Sequence, residues 1–437
     1  MKLPFLALCG FFPLLLHAQN PLDTIGITAL RAQDPTLTGS GITVTQPEAP
    51  KLLDSDPDFE VNPATVHQRI SLLVYSASNI VALTYPNKLG TESTHADAVA
   101  SNLYDATLGA APGLRRVWNY KYNYFYSTVI KAQRPTSARV FNQSFAIGQD
   151  QPFDDYIARY HTTVASAIGD GNGVPLVAPG DCYNGIGVAA YQGNSSAGPT
   201  SDGRCKPDIT APAGVLQQSS FSTPFVSAAA AILTQAGARQ KANAPAAEDS
   251  RTIKALLLNG AVKPPGWTHT TTAPLDFTVG AGILNVLNSC NELMGGAHTP
   301  VSQVLSSGTA HPPLTSGRSL PAVKGWCYRG IASNASAQGV HHYVVTTTTT
   351  AALVATLVWN KPYRQKSINQ LSLYLYDPTG ALLASSQSTV DNVQQIYLTS
   401  LPAGRYDLEV VKTSGRLKAP GVVSASDIYA LVWDFSR

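Results

Sequence analysis

The sequence predicts an α/β unit, a parallel sheet sandwiched by helices, followed by an all-β sandwich or jelly roll. From about residue 24 to 295, short apolar runs alternate with helical patterns, as in a sheet covered on both faces. A stretch rich in Gly, Pro, Ser and Thr follows at 296–321, and beyond it the segments alternate in polarity and carry β-branched and aromatic residues. A chain of 437 residues has room for a domain of roughly 280 residues and a second of roughly 120, each with its own core. The expected division is a leader at 1–18, an α/β domain at 19–298, a linker at 299–321 and a β-sandwich at 322–437.

The leader comes first. MKLPFLALCGFFPLLLHAQN carries one Lys, an apolar run to Leu16 and a small residue, Ala18, before Gln19. That order fits an export signal cut after Ala18, and Pro4, Gly10 and Pro13 interrupt the run of about 20 apolar residues that an anchor needs. The expected location is therefore secreted or periplasmic, with no integral membrane segment once the signal is gone. Charged residues make up 13% and the formal net charge is +3, so nothing marks a nucleic-acid partner.

Export bears on the cysteines, because an oxidising compartment lets thiols pair. Cys182, Cys205, Cys290 and Cys327 remain after Cys9 leaves, and four cysteines allow three connectivities. Neighbour pairing, Cys182 with Cys205 and Cys290 with Cys327, is the preferred expectation. No pair has the close spacing of a zinc ligand set.

Along the α/β unit, GITVTQ (41–46) and ARVFNQSF (138–145) read as strands, and HADAVASNLYDA (95–106) places Ala98, Val99, Ala100 and Leu103 near helical spacing. TPFVSAAAAILTQAGARQ (223–240) reads as an alanine-rich helix with Pro at its opening. After the linker, LVATLVWN (353–360), LSLYLYDPTGALLASS (371–386), QQIYLTSLPAGRYDLEVVK (394–412) and YALVWDF (429–435) read as strands broken by turns such as Asp377-Pro378-Thr379-Gly380.

The chemistry concentrates in QSSFSTPFVSAAAAIL (218–233). A serine in the first turn of a helix sits where unpaired amide protons and the helix dipole favour negative charge. A serine there also commonly serves only as a cap. The context decides, because SSAGPTSDGRCKPDITAPAG (195–214) stands just upstream. Together these blocks resemble the subtilase family, in which Gly-Pro-Thr, Lys-Pro-Asp and an Ala-Pro-Gly-like turn lead into the nucleophile. ESTHADAVASNLYDATLGAAPGL (92–114) resembles the family's His-Gly-Thr-His helix, and FTVGAGILNVLNSC (277–290) its closing Gly-x-Gly-x-x-Asn helix. The resemblance spans about residues 36–295.

The resemblance implies that Ser220 is the nucleophile and His95 the general base, an imidazole suited to proton transfer near neutral pH. GSGITVTQPEAP (39–50) matches the acid block and places Glu48 at the family's Asp position, with Asp54, Asp56, Asp58 and Asp97 as poorer alternatives. Ser144, Phe145, Ala146, Ile147 and Gly148 correspond to the strand end that binds substrate backbone, which implies a protein or peptide substrate. For the oxyanion, VASAIGDGNG (164–173) offers Asp170 on the strict register and Asn172 two residues later; an ionised Asp cannot donate, which favours Asn172. Gln218 stands where the family has Gly, and Glu92 where it has the first His of its motif.

The implied activity is a secreted serine endopeptidase working through a Ser-His-Glu triad and an acyl-enzyme. No cofactor is required, and calcium, common in such proteins, has no ordered run of carboxylates to demand it. The departures at Glu48, Gln218 and the oxyanion position keep a second expectation, a pseudopeptidase scaffold. The C-terminal half resembles β-sandwich modules attached to bacterial secreted subtilases, with Tyr374, Tyr376, Tyr397 and Tyr406 as a candidate sugar-binding platform.

Overall fold

The computed structural model describes residues 20–437 apart from 51–52, 54, 69–71, 318, 321, 334–335 and 413–426. The expected export signal at 1–18 and the alternative acid Asp54 lie outside the described residues. Among the described residues no helix is long and apolar enough to cross a membrane.

The first half carries strands β1 (Thr43–Glu48), β2 (Asp58–Glu60), β3 (Leu73–Ala77), β4 (Ile80–Ala82), β5 (Thr91–Glu92), β6 (Arg116–Lys121), β7 (Val140–Gln143), β8 (Thr163–Ala167), β9 (Ile186–Ala190) and β10 (Ile209–Ala211). Its helices are α1 (Pro21–Thr24), α2 (Ile27–Gln33), α3 (Thr94–Tyr104), α4 (Tyr122–Phe125), α5 (Gln151–Tyr160), α6 (Ser219–Ala238), α7 (Ala244–Ala247), α8 (Ser250–Gly260) and α9 (Val286–Met294). An eight-stranded sheet runs in the order β10-β9-β8-β7-β1-β6-β3-β4, parallel except for the β3–β4 hairpin at one edge. β2 and β5 form a separate small pair.

The order fixes where a site can form. The chain builds β3, β4 and β6 on one side of β1, then crosses and adds β7 to β10 on the other, so the switch point lies between β1 and β7. Parallel sheets open a crevice at the carboxyl ends of the strands at such a point. β1 stays paired with β6 from Thr43 to Glu48 but meets β7 only at Val44 and Thr45. Pro47, which has no amide proton for a ladder, falls where β7 has already parted from β1.

The alanine-rich α6 runs almost wholly buried through the core. It begins at Ser219, earlier than the sequence suggests, so Pro224 lies inside the helix rather than at its opening. A proline there has no N–H for the carbonyl of the residue four earlier, which is Ser220. That carbonyl accepts instead from Ser144 Oγ at 2.8 Å.

The second half carries β11 (Val301–Ser306), β12 (Lys324–Ile331), β13 (Ala337–Thr347), β14 (Ala351–Trp359), β15 (Leu371–Tyr376), β16 (Leu382–Ser386), β17 (Val393–Leu401), β18 (Gly404–Lys412) and β19 (Asp427–Asp434). They form two antiparallel sheets, β11-β13-β18-β15-β16 and β12-β19-β14-β17. Within the segment 299–321, read from sequence as a connection, Val301–Ser306 is thus an edge strand paired with β13.

Alternation along the strands sends Tyr343, Leu357, Leu408 and Trp433 into the space between the sheets. The opposite face of the four-stranded sheet contributes Trp326, Val358, Val393, Ala430 and Val432 to the core of the first half. The sandwich thus has an inner core of its own, and its second apolar face is shared with the first half. Every residue of α8 is buried, and the helix lies against β14 and β19.

The expected disulfides are not formed. Cys182, Cys205, Cys290 and Cys327 are buried free thiols. The expected partners belong to different packing clusters, Cys182 beside the α5 aromatics, Cys205 and Cys290 in the main core, and Cys327 between the sandwich sheets. Burial pushes all four thiol pKa values up, Cys205 and Cys290 to about 12 and Cys327 to about 11. They act as small apolar side chains.

The tyrosine platform does not assemble either. Tyr406 is buried with its hydroxyl on Pro402 O, and Tyr397 meets Trp267 edge-on at 5.5 Å. Tyr374 and Tyr376 stack on each other, and His311 lies 4.7 Å from the Tyr374 ring.

Candidate active site

Glu48 ends β1 with its side chain fully buried, and Oε2 lies 2.8 Å from Nδ1 of His95 at the start of α3. An ionised carboxylate only accepts, so this contact puts the imidazole proton on Nδ1 and leaves Nε2 as the basic nitrogen. Ser93 caps α3 by accepting from Ala96 N at 3.3 Å, which sets where the helix, and with it His95, begins. Burial disfavours the imidazolium, but the charge and hydrogen bond of Glu48 and the more distant charge of Asp170 outweigh it, and the His95 pKa lies above its ordinary value.

Glu48 is itself held. Gln46 lies two residues earlier on β1, hence on the same face. Its Nε2 donates to Glu48 Oε1 at 2.8 Å and to Ala96 O at 2.9 Å, while its Oε1 accepts from Tyr104 OH at 2.8 Å. The chain Tyr104, Gln46, Glu48, His95 ties both ends of α3 to β1. Sequence reading missed Gln46 and Tyr104, although a buried amide in phase with the acid was the available signal.

Ser220 occupies the second position of α6, and its neighbour Phe221 lies 5.3 Å ring to ring from His95. Asn102 of α3 donates to Phe221 O at 2.9 Å and joins the two helices. In this arrangement the Ser220 hydroxyl donates to the carbonyl of Ser144 at 3.1 Å, and no hydrogen bond links it to His95 among the described residues. The neighbouring polar contacts form a line: Ser227 Oγ donates to Asn142 Oδ1 at 2.9 Å, Asn142 Nδ2 to Ser144 Oγ at 3.0 Å, and Ser144 Oγ to Ser220 O at 2.8 Å. The end of β7 and the start of α6 are locked together by it.

Asp170 follows β8. Gly169 makes the turn with φ +106°, a conformation strained for any side chain, and a Cβ there would meet Ser196 Oγ at 3.0 Å. Asp170 Oδ1 accepts from Ser219 N at 2.7 Å and Ser219 Oγ at 2.8 Å. It supplies the cap that Gln218, exposed and without a cap hydrogen bond of its own, does not. Asn172 lies in an exposed turn and makes no side-chain hydrogen bond among the described residues. Asp170 is thus the one of the two brought against the start of α6.

Of the substrate-side residues, Ser144 and Phe145 are buried, Ala146 and Gly148 are exposed, and Ile147 N donates to Ala178 O at 2.7 Å. Phe145 meets Tyr122 edge-on at 5.4 Å. The alternative acids sit elsewhere: Asp97 Oδ1 accepts from Asn62 N at 2.7 Å, Asp56 Oδ2 accepts from Leu53 N at 2.9 Å, and Asp58 begins β2. Glu92 is exposed and takes Asn62 Nδ2 and Tyr85 OH. The Lys206-Pro207-Asp208 block is structural: the Asp208 carboxylate lies between the Nζ atoms of Lys206 and Lys254, at 2.5 and 3.0 Å.

Residues 80–282 match the Subtilase family (Peptidase_S8). The matched span contains His95, Ser144, Asp170 and Ser220 and begins after Glu48. No curated protein matches the chain. Among solved structures, the serine protease of Aeromonas sobria is 12% identical with a TM-score of 0.40, over 91% of this chain and 89% of that one. The PatG macrocyclase in complex with peptide is 16% identical with a TM-score of 0.46, over 63% and 98%. Tripeptidyl peptidase 2 is 13% identical with a TM-score of 0.39, over 79% of this chain, which spans 40% of the length of that protein.

Proposed function

We propose that this chain, whose residues 80–282 form a subtilase-family domain, is an exported serine endopeptidase that cleaves peptide bonds through Ser220, His95 and Glu48. The observation that carries the reading is the buried Glu48 carboxylate 2.8 Å from His95 Nδ1, with Phe221, the residue after Ser220 in the first turn of α6, 5.3 Å ring to ring from that imidazole.

In this reading an extended peptide lies along Ser144–Gly148 and displaces the Ser220 hydroxyl from the Ser144 carbonyl. Ser220 Oγ turns to His95 Nε2, loses its proton there and attacks the scissile carbonyl carbon. Glu48 holds the ring and stabilises the imidazolium, which returns the proton to the leaving amine. Water, deprotonated by the same nitrogen, then resolves the acyl-enzyme.

The oxyanion rests on the Ser220 amide at the helix start, with Asp170 or Asn172 as its second neighbour. A carboxylate at Asp170 accepts and cannot donate to that charge, as an amide would. Treatment of the folded protein with a fluorophosphonate tests the proposal. Label is expected on Ser220, and it should vanish in Ser220→Ala and in His95→Ala. A folded protein that takes no label overturns the peptidase reading in favour of a scaffold.

A further inference from the structure

The outer face of the five-stranded sheet, away from the peptidase-like half of the site chemistry, gathers charged side chains where a sheet facing solvent has no need to bury them. His342 of β13 and Glu409 of β18 are cross-strand partners, and Asp407 is two residues from Glu409 on the same face. The three side chains are buried. His342 Nδ1 lies 2.9 Å from Asp407 Oδ2 and 3.3 Å from Glu409 Oε1. One potential ligand atom from each lies within 4.8 Å of the others.

The segment after β11 covers this cluster and holds one oxygen of each carboxylate. His311 Nδ1 meets Glu409 Oε2 at 2.7 Å, and Leu314 N donates to Asp407 Oδ2 at 2.6 Å. Of the remaining atoms, Asp407 Oδ1 and His342 Nε2 are buried without a hydrogen-bond partner, and Glu409 Oε1 has only the 3.3 Å contact to His342 Nδ1. Two buried carboxylates with unused lone pairs, facing one imidazole, form an anionic cradle that a cation completes. Ligating carboxylates are commonly oriented by an outer set of hydrogen bonds, the part His311 and the Leu314 amide take here.

We propose that His342, Asp407 and Glu409 bind a divalent transition ion of the zinc class, with His311 orienting Glu409 from outside. Mixed imidazole and carboxylate donors fit that class better than calcium, which takes oxygen alone. The ion would fasten the segment that joins β11 to β12 onto the sandwich.

The test is zinc binding by the full-length chain after chelator treatment, measured by titration calorimetry in the His95→Ala background. That background removes the His95–Glu48 pair as a competing site. One equivalent is expected, with binding weakened at least about 100-fold in Glu409→Gln and about 10-fold in His311→Ala. X-ray absorption at the zinc edge needs no change to the cluster, and should show nitrogen and oxygen ligands at about 2.0–2.1 Å with an imidazole among them. Absence of zinc uptake, an absorption spectrum without imidazole, or unchanged affinity in a folded Glu409→Gln protein overturns the site and leaves an imidazolium between two carboxylates.

Discussion

At the carboxyl ends of β1, β7 and β8 the buried polar side chains converge on a crevice, whereas those on the outer face of β14, β17 and β19 bind the two halves together. Gln46, Glu48, Ser144 and Asp170 all meet elements that carry His95 or Ser220. Across the junction, Thr356 Oγ1 donates to Asn259 Oδ1 at 2.9 Å, Gln395 Nε2 donates to Thr356 Oγ1 at 2.8 Å, and Lys361 N donates to Asn184 Oδ1 at 2.7 Å. In both regions these hydrogen bonds lie in a low-dielectric setting, which makes each costly to disturb. They differ in what a lost bond reports: a change in rate at the crevice, a change in stability at the junction.

The largest expected effect is at Glu48. Glu48→Gln keeps the size of the side chain but can donate to Nδ1 and so favour the wrong tautomer, and kcat on a peptide substrate should fall by about 10⁴-fold with little change in melting temperature. An unchanged kcat would remove Glu48 from the proposed triad. Next, Leu256→Ala in α8 opens a cavity in the shared core and should cost about 2–5 kcal/mol of unfolding free energy. Calorimetry should show one transition moving down as a unit; two transitions, one unmoved, would mean that the halves fold independently.

Asp170→Asn runs the other way. Exchanging an anion for a donor beside the oxyanion should raise kcat about 10- to 100-fold at neutral pH. It also removes one of the charges that hold the His95 pKa up. The neutral, basic form of His95 exists above its pKa, so the acid limb of the pH–rate profile should move to lower pH; a limb that stays in place would separate Asp170 from His95. The smallest effect expected is for Gln46→Ala, about a 10-fold fall in kcat/KM with the protein still folded, because Glu48 keeps its place but loses its second tether. A null result in a folded variant would make the Tyr104–Gln46 chain purely structural.

Much of this was legible in the sequence because it is local. The Ser220 and His95 blocks sit at helix starts, and the hairpins of the sandwich announce themselves by alternation and by Asp377-Pro378-Thr379-Gly380. Glu48 comes only from the resemblance of GSGITVTQPEAP (39–50) to the family's acid block. What escaped depends on distant partners: Gln46 needs Tyr104, 58 residues on, and the earlier start of α6 depends on Asp170 from the turn after β8. Cysteine spacing carried no information about depth, so thiols in separate clusters looked like pairs. The joining stretch hid β11, because Val301–Ser306 becomes a strand only against β13.

The burial of α8 has a consequence for the order in which the molecule can be assembled. One of its walls is β19, the last strand described, which lies between β12 and β14 in its sheet. During synthesis the helix emerges long before that wall exists, with Leu256, Leu257 and Leu258 exposed to water until β19 arrives. The crevice is built on the same core. A chain with this wiring completes the core beneath its strand ends only once β19 has packed against α8.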